Sequence, residues 1–137
     1  MTNKLKYFIG NWKMFGDFNS FKIISKINQY ANSSKRLHNK KIVICVPNTL
    51  ISTFSKKLKS KFVSIGAQNC HHYHENGPYT GSINSKMLKV IGTKYIILGH
   101  SENRAEGETN SMIKMKIKSA LQNNLNVIFC IGESFKE

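Results

Sequence analysis

Lys41-Ile42-Val43-Ile44-Cys45-Val46, closed by Pro47 and Asn48, is the stretch on which the fold turns. A run that is apolar at successive positions and rich in β-branched residues cannot offer one face to water. It predicts a strand buried on both faces, as in a parallel sheet. Comparable short runs over 6–10, 62–68, 95–98 and 127–131 predict four more strands. Between them the apolar spacing turns helical. Phe21, Ile24, Ile27 and Tyr30 mark a helix over 18–30, and Ile51, Phe54 and Leu58 share one face of a helix over 51–58. A long polar loop over 69–83 leads to a short helix over 85–91. A last helix, capped by Asn110 or Ser111, carries Ile113, Ile117, Ala120 and Leu121 as its buried stripe. Strands separated by helices specify repeated βα units, an α/β chain with a parallel sheet covered on both sides.

The length of 137 residues and the 40% hydrophobic content fit one domain over 1–137 with a sizeable core. No linker, low-complexity stretch or phosphate-cradling GxGxxG or GxxxxGK pattern interrupts it, which disfavours dinucleotide and nucleoside-triphosphate sites. The formal charge of +14 invites a nucleic-acid reading. Lysines such as Lys4, Lys26, Lys59, Lys89 and Lys118 are instead spread over most segments, and only Arg36 and Arg104 are arginines. Lysine, asparagine and isoleucine abound together, the mark of A- and T-rich codons, so no nucleic-acid partner is expected. Cys45 and Cys130 lie in apolar runs and Cys70 in a polar loop, an unpaired set that fits reduced thiols. No run approaches a membrane span and residues 1–7 lack a signal-peptide core, so the reading is a cytoplasmic protein without a membrane partner.

Chemistry concentrates at two strand ends. Asn11-Trp12-Lys13 closes the first apolar run, with Trp12 turned away from Asn11 and Lys13 by strand alternation. Gly99-His100-Ser101-Glu102 closes the fourth, placing an imidazole beside a carboxylate that can pair with Lys13 across the sheet. Each motif alone is unremarkable in a lysine-rich chain. An amide, a cation, an imidazole and a carboxylate on the same side of one parallel sheet form a convergent polar site and argue for catalysis. A rival metal site at Cys70-His71-His72-Tyr73-His74 has poor spacing, because neighbouring His71 and His72 do not easily chelate one ion.

These motifs, with Gly66-Ala67-Gln68-Asn69, Gly77-Pro78-Tyr79-Thr80-Gly81 and Ile128-Phe129-Cys130-Ile131-Gly132-Glu133, occur in an order that resembles the amino-terminal half of the triosephosphate isomerase family. The resemblance implies a (β/α)₈ barrel, of which about five parallel strands are present, a homodimer, and no metal or organic cofactor. It implies interconversion of dihydroxyacetone phosphate and D-glyceraldehyde 3-phosphate through an enediolate, a step of glycolysis and gluconeogenesis. Carried over by motif, His100 is the neutral electrophile that polarises the substrate carbonyl, a role known in the family. Lys13 supplies charge to the enediolate and the phosphate, Asn11 orients the bound oxygen and Glu102 fixes the lysine. Thr80 matches a residue that reaches into the partner subunit.

A complete barrel takes about 250 residues and eight strands. The family's proton-abstracting glutamate and phosphate-gripping loops have no counterpart in these 137 residues, so the polypeptide alone is expected to be inactive. Glu133 matches a structural carboxylate rather than a base. Asn103 stands where the family has an arginine, Ser82 where it has an acid, and 104–107 is one residue short, departures that touch charge and dimer contacts. The alternatives are a non-catalytic fragment or pseudogene product that needs a complementary carboxy-terminal half-barrel and, less favoured, a metal- or nucleic-acid-binding module.

Overall fold

The computed structural model describes residues 4–34 and 39–132. Five strands, β1 (Lys6–Asn11), β2 (Lys40–Cys45), β3 (Val63–Ala67), β4 (Tyr95–Leu98) and β5 (Asn126–Phe129), form one sheet in the order β1-β2-β3-β4-β5. Every neighbouring pair is parallel. A parallel neighbour needs a crossover, and helices supply it: α1 (Phe21–Ser33, entered through a 3₁₀ turn at Phe18–Ser20), α2 (Asn48–Lys57), α3 (Ser85–Val90), α4 (Ser101–Ala105) and α5 (Asn110–Gln122). Strands added in chain order curl the sheet into a half-barrel. The Tyr7 and Tyr95 rings meet edge-on with centroids 6.1 Å apart, although β1 and β4 are three strand spacings, about 14 Å, apart in a flat sheet.

The two faces of the sheet are filled differently. Ile44, Ile65, Ile96 and Leu98 pack outward against Ile24, Phe54, Leu88 and Ala120 of the helices and form the main core. Val43, Cys45 and Ile97 point to the opposite face and pack only with strand neighbours such as Tyr95, Ile128 and Cys130. Helices therefore cover one side, not both as the apolar runs predict, because the other side is the interior of a barrel and is meant to be filled by strand side chains. Among the described residues that interior is open. Tyr7 and Ile9 are nearly half exposed, and a concavity of about 460 Å³ runs between them, Tyr95, Leu125 and Ile128.

Two glycines are fixed by close approach. A side chain at Gly66 would meet the Cys45 sulfur at 2.6 Å and the Tyr95 carbonyl at 3.1 Å, so β3 passes its neighbours only as bare backbone. Gly16 has φ +104°, a left-handed value that suits glycine, and a side chain there would lie 2.8 Å from the Trp12 ring.

Element ends depart from the periodic reading for identifiable reasons. The fifth helix is capped not by Asn110 or Ser111 but by Thr109, whose hydroxyl accepts from the Met112 N–H at 3.2 Å. Its inward face holds Ile113, Lys116 and Ala120, while Leu121, expected in the buried stripe, is 57% exposed. Tyr30 at the end of α1 is likewise exposed, and Ala31 takes the inward position. The fifth strand ends at Phe129, leaving Ile131 exposed, and Glu133 lies outside the described residues. No helix among the described residues is long and apolar enough to cross a membrane.

Candidate functional site

The first strand carries Asn11 to the rim of the sheet, where the Trp12 N–H still donates to the Cys45 carbonyl at 3.0 Å. The chain then bends sharply. Lys13 adopts φ +53°, a left-handed conformation uncommon for a residue with a side chain. Three contacts hold it there. Asn11 Oδ1 accepts from the Lys13 N–H at 2.9 Å, the Gln68 side-chain amide donates to the Lys13 carbonyl at 2.8 Å, and Trp12 is anchored edge-on against Phe54. The direction of Lys13 is thus set by a pinned turn rather than by strand alternation. Backbone strain of this kind persists only where surrounding contacts over-determine it, which makes the bend a marked feature of the rim.

The fourth strand delivers the second half. After Leu98, Gly99 turns with φ +74° and His100 becomes the N-cap of α4, its Nδ1 accepting from the Glu102 N–H at 3.3 Å. That bond fixes chemistry as well as geometry. An Nδ1 that accepts carries no proton, so in the neutral ring the proton is on Nε2, available to a ligand's oxygen. Glu102 Oε2 also lies 3.5 Å from Nδ1, a contact that would need a protonated imidazole. The acceptor geometry is preferred, because it is shared with the helix cap and the carboxylate already has a closer cation.

That cation is Lys13. Its Nζ lies 2.7 Å from Glu102 Oε1, so one carboxylate joins the rim of β1 to that of β4. The hydrogen bond to Lys13 holds the Glu102 carboxyl below its ordinary range, burial opposes it, and the Lys13 charge adds a smaller pull in the same downward direction. Both side chains are about half exposed, which keeps the energy of the pair small. The sign of its pH dependence is still definite. A carboxyl whose folded pKa is depressed contributes stability that is present above its ordinary range, near 4.5, and lost as pH falls through the lowered value. The stability difference between the chain and its Glu102→Gln variant, read from urea midpoints, is expected to shrink between about pH 6 and pH 3. A constant or growing difference in acid would overturn the pairing.

Sequence reasoning singled out Asn11, Lys13, His100 and Glu102, and the fold brings Lys13, His100 and Glu102 together, with Asn11 beneath Lys13. It missed Gln68. The signal was present in that Gln68 follows the third strand at the same rim, but an uncharged amide in a short motif carries no chemistry of its own. Thr80 sits in an exposed turn at the tip of the third loop, where Gly81 has φ +81°. A buried ion pair was also missed: Lys116 contacts Glu108 and donates to Asn69 Oδ1 at 2.9 Å.

The histidine-rich loop does not gather as a metal site requires. Cys70 is buried, its thiol pushed up to about 12 chiefly by burial, while the His71 and His72 rings stack 4.3 Å apart and His74 pairs with Glu75. Among the described residues no group of three His, Cys, Asp or Glu side chains could hold an ion.

A lysine held in a strained turn, a capping histidine and a bridging glutamate sit on the rim of a curled parallel sheet. The sequence profile described as triosephosphate isomerase matches residues 6–137. The chain belongs to the triosephosphate isomerase family. Its relatives include the triosephosphate isomerase of Alkaliphilus oremlandii, 41% identical over 129 residues, which are 93% of this chain and 50% of that protein. That of Dictyoglomus thermophilum is 42% identical over 136 residues, 96% of this chain and 52% of the relative. The crystal structure of triosephosphate isomerase from Bartonella henselae superposes with a TM-score of 0.86 at 34% identity, covering 95% of this chain and 53% of that one. The chain spans about half the length of the relatives it matches, and the half-barrel corresponds to their amino-terminal half.

Proposed function

We propose that this chain carries the electrophilic half of a triosephosphate isomerase site, acting on dihydroxyacetone phosphate and D-glyceraldehyde 3-phosphate. The observation that carries the reading is the 2.7 Å bridge between Lys13 and Glu102, which fixes a cation beside the His100 imidazole on the barrel rim. In this reading the substrate carbonyl oxygen accepts from His100 Nε2–H while Lys13 faces the same oxygen and the phosphate. Asn11 acts through the Lys13 turn, and also toward the bound oxygen. When a carboxylate base removes the proton from the hydroxyl-bearing carbon, the electron pair moves onto that carbonyl oxygen, where a fixed donor and a fixed cation lower the energy of the enediolate. Passage of the hydroxyl proton from its oxygen to the former carbonyl oxygen, and return of the abstracted proton to the neighbouring carbon, complete the isomerisation. No metal or organic cofactor enters these steps.

The base and the phosphate-binding loops come, in this proposal, from a complementary carboxy-terminal half-barrel that closes the open β1 and β5 edges and covers Tyr7 and Ile9. The half-barrel and its complement together make one domain, which pairs through the loop bearing Thr80 into a homodimer. The test is to coexpress residues 1–137 with the carboxy-terminal half of the Dictyoglomus thermophilum relative and to assay each half and the complex. Activity in the complex alone supports the reading. Equal turnover by the 137-residue polypeptide by itself, or none in a complex that forms, refutes it.

A further inference from the structure

Lysines that look dispersed along the chain are collected by the fold. Because all five strands are parallel, their starts share one end of the sheet, opposite the rim that holds Lys13 and His100. Lys6 and Lys40 begin β1 and β2 as register partners, Lys61 and Lys94 lie just before β3 and β4, and Lys89 stands near the end of α3. Lys56 and Lys57 close α2, and Lys59 follows in the same connection. Every acidic residue among those described lies toward the other end. Asp17 follows β1, Glu75 follows β3, and Glu102, Glu106 and Glu108 follow β4.

Local structure accounts for part of this only. Lys56, Lys57 and Lys89 suit helix carboxyl ends, and Lys41 and Lys89 donate to the Lys61 and Asn124 carbonyls at 2.7 Å. Lys6, Lys59, Lys61 and Lys94 are exposed and make no side-chain hydrogen bond or ion pair among the described residues. Like charges on a single end repel unless a polyanion faces them. The side chains interleaved with them narrow its chemistry. Leu5 is 46% exposed between Lys4 and Lys6, Tyr30 is 67% exposed near the end of α1, and Val90 is 82% exposed beside Lys89. Point-charge ammonium groups with apolar and aromatic side chains among them match an anionic lipid interface, where charges meet headgroups and apolar groups enter the acyl boundary. Base recognition favours arginine forks and stacking platforms, and Arg104, the one arginine among the described residues, is at the other end on the Gly99 carbonyl and Asn110.

We propose that the strand-start end of the half-barrel is a docking face for an anionic phospholipid bilayer. It is independent of the catalytic reading, since it uses the opposite end of the sheet. The test is cosedimentation of the 137-residue chain at physiological salt with vesicles of about one-quarter phosphatidylserine in phosphatidylcholine. Two triple variants of equal net charge are compared: Lys6→Gln, Lys59→Gln and Lys94→Gln on the face, and Lys22→Gln, Lys86→Gln and Lys114→Gln near the starts of α1, α3 and α5, with folding checked by circular dichroism. At about 1 kcal/mol per interfacial lysine, the first is expected to bind about 100-fold more weakly and the second less than about 10-fold. Equal losses in the two variants, no binding by the parent chain, or its displacement from vesicles by single-stranded oligoribonucleotide at equal phosphate would each overturn the proposal.

Discussion

Replacing Lys116 by methionine is expected to cost the folded chain about 3–5 kcal/mol, a large part of the stability of a domain this size. Lys116 and Glu108 have side chains only 7% and 5% exposed, and they contact each other beneath the third loop. Burying two ions is costly, and their attraction offsets the cost only while both are present. Methionine fills the space of the lysine stem but leaves the Glu108 carboxyl without its partner in a dry site, where its Oε2 already has no hydrogen-bond partner among the described residues. It also strips Asn69 Oδ1 of the lysine donor, although that atom still accepts from the Cys70 N–H at 2.8 Å. The double variant Lys116→Met with Glu108→Leu leaves no charge behind, and its stability is expected to return to within about 1–2 kcal/mol of the parent. Urea unfolding of the parent, both single variants and the double closes the cycle. A single variant within about 1 kcal/mol of the parent would mean that the pair is solvated in practice.

That same lysine marks the limit of what the sequence discloses. Runs such as 41–46 are legible as buried strands because hydrophobic pattern and β-branching agree, and the observed β2 differs by one residue at each end. Lys116 is read as solvated because lysine usually is, and only the placement of Glu108 and Asn69 from other segments makes burial tolerable. Leu121 is the complementary error: its spacing fits the helical stripe, but α5 turns Lys116 and Ala120 inward, and Leu121 falls beside the open interior. The short helix α4 was invisible because five residues offer no periodicity, and its start is set by a histidine cap rather than by the usual Ser, Thr, Asp or Asn. The site residues were legible as chemistry, while their geometry was not. Nothing in Asn11-Trp12-Lys13 announces a left-handed lysine, because the bend is held by Gln68, just past β3 and more than fifty residues further along the chain.

The double duty of His100 allows its structural and chemical roles to be separated. Its Nδ1 caps α4 through the Glu102 N–H, while Nε2 is the nitrogen proposed to meet the substrate. Asparagine is among the best N-caps, so His100→Asn keeps a cap and removes the imidazole, whereas alanine at a cap costs about 1 kcal/mol. In the complex of the two half-barrels, His100→Asn is expected to retain assembly and unfolding midpoint while kcat falls about 10²–10⁴-fold, the usual contribution of a positioned acid–base group. KM should change little, because the group acts on the developing enediolate more than on the ground state. Lys13→Ala is expected to behave differently: removal of the cation weakens phosphate binding as well as enediolate stabilisation, so KM rises while kcat falls. It also frees Glu102, whose carboxyl then returns toward its ordinary range. If His100→Asn instead lowered the unfolding midpoint and left kcat of the folded complex unchanged, the imidazole would be a helix cap only, and the electrophile would have to be sought elsewhere on the rim.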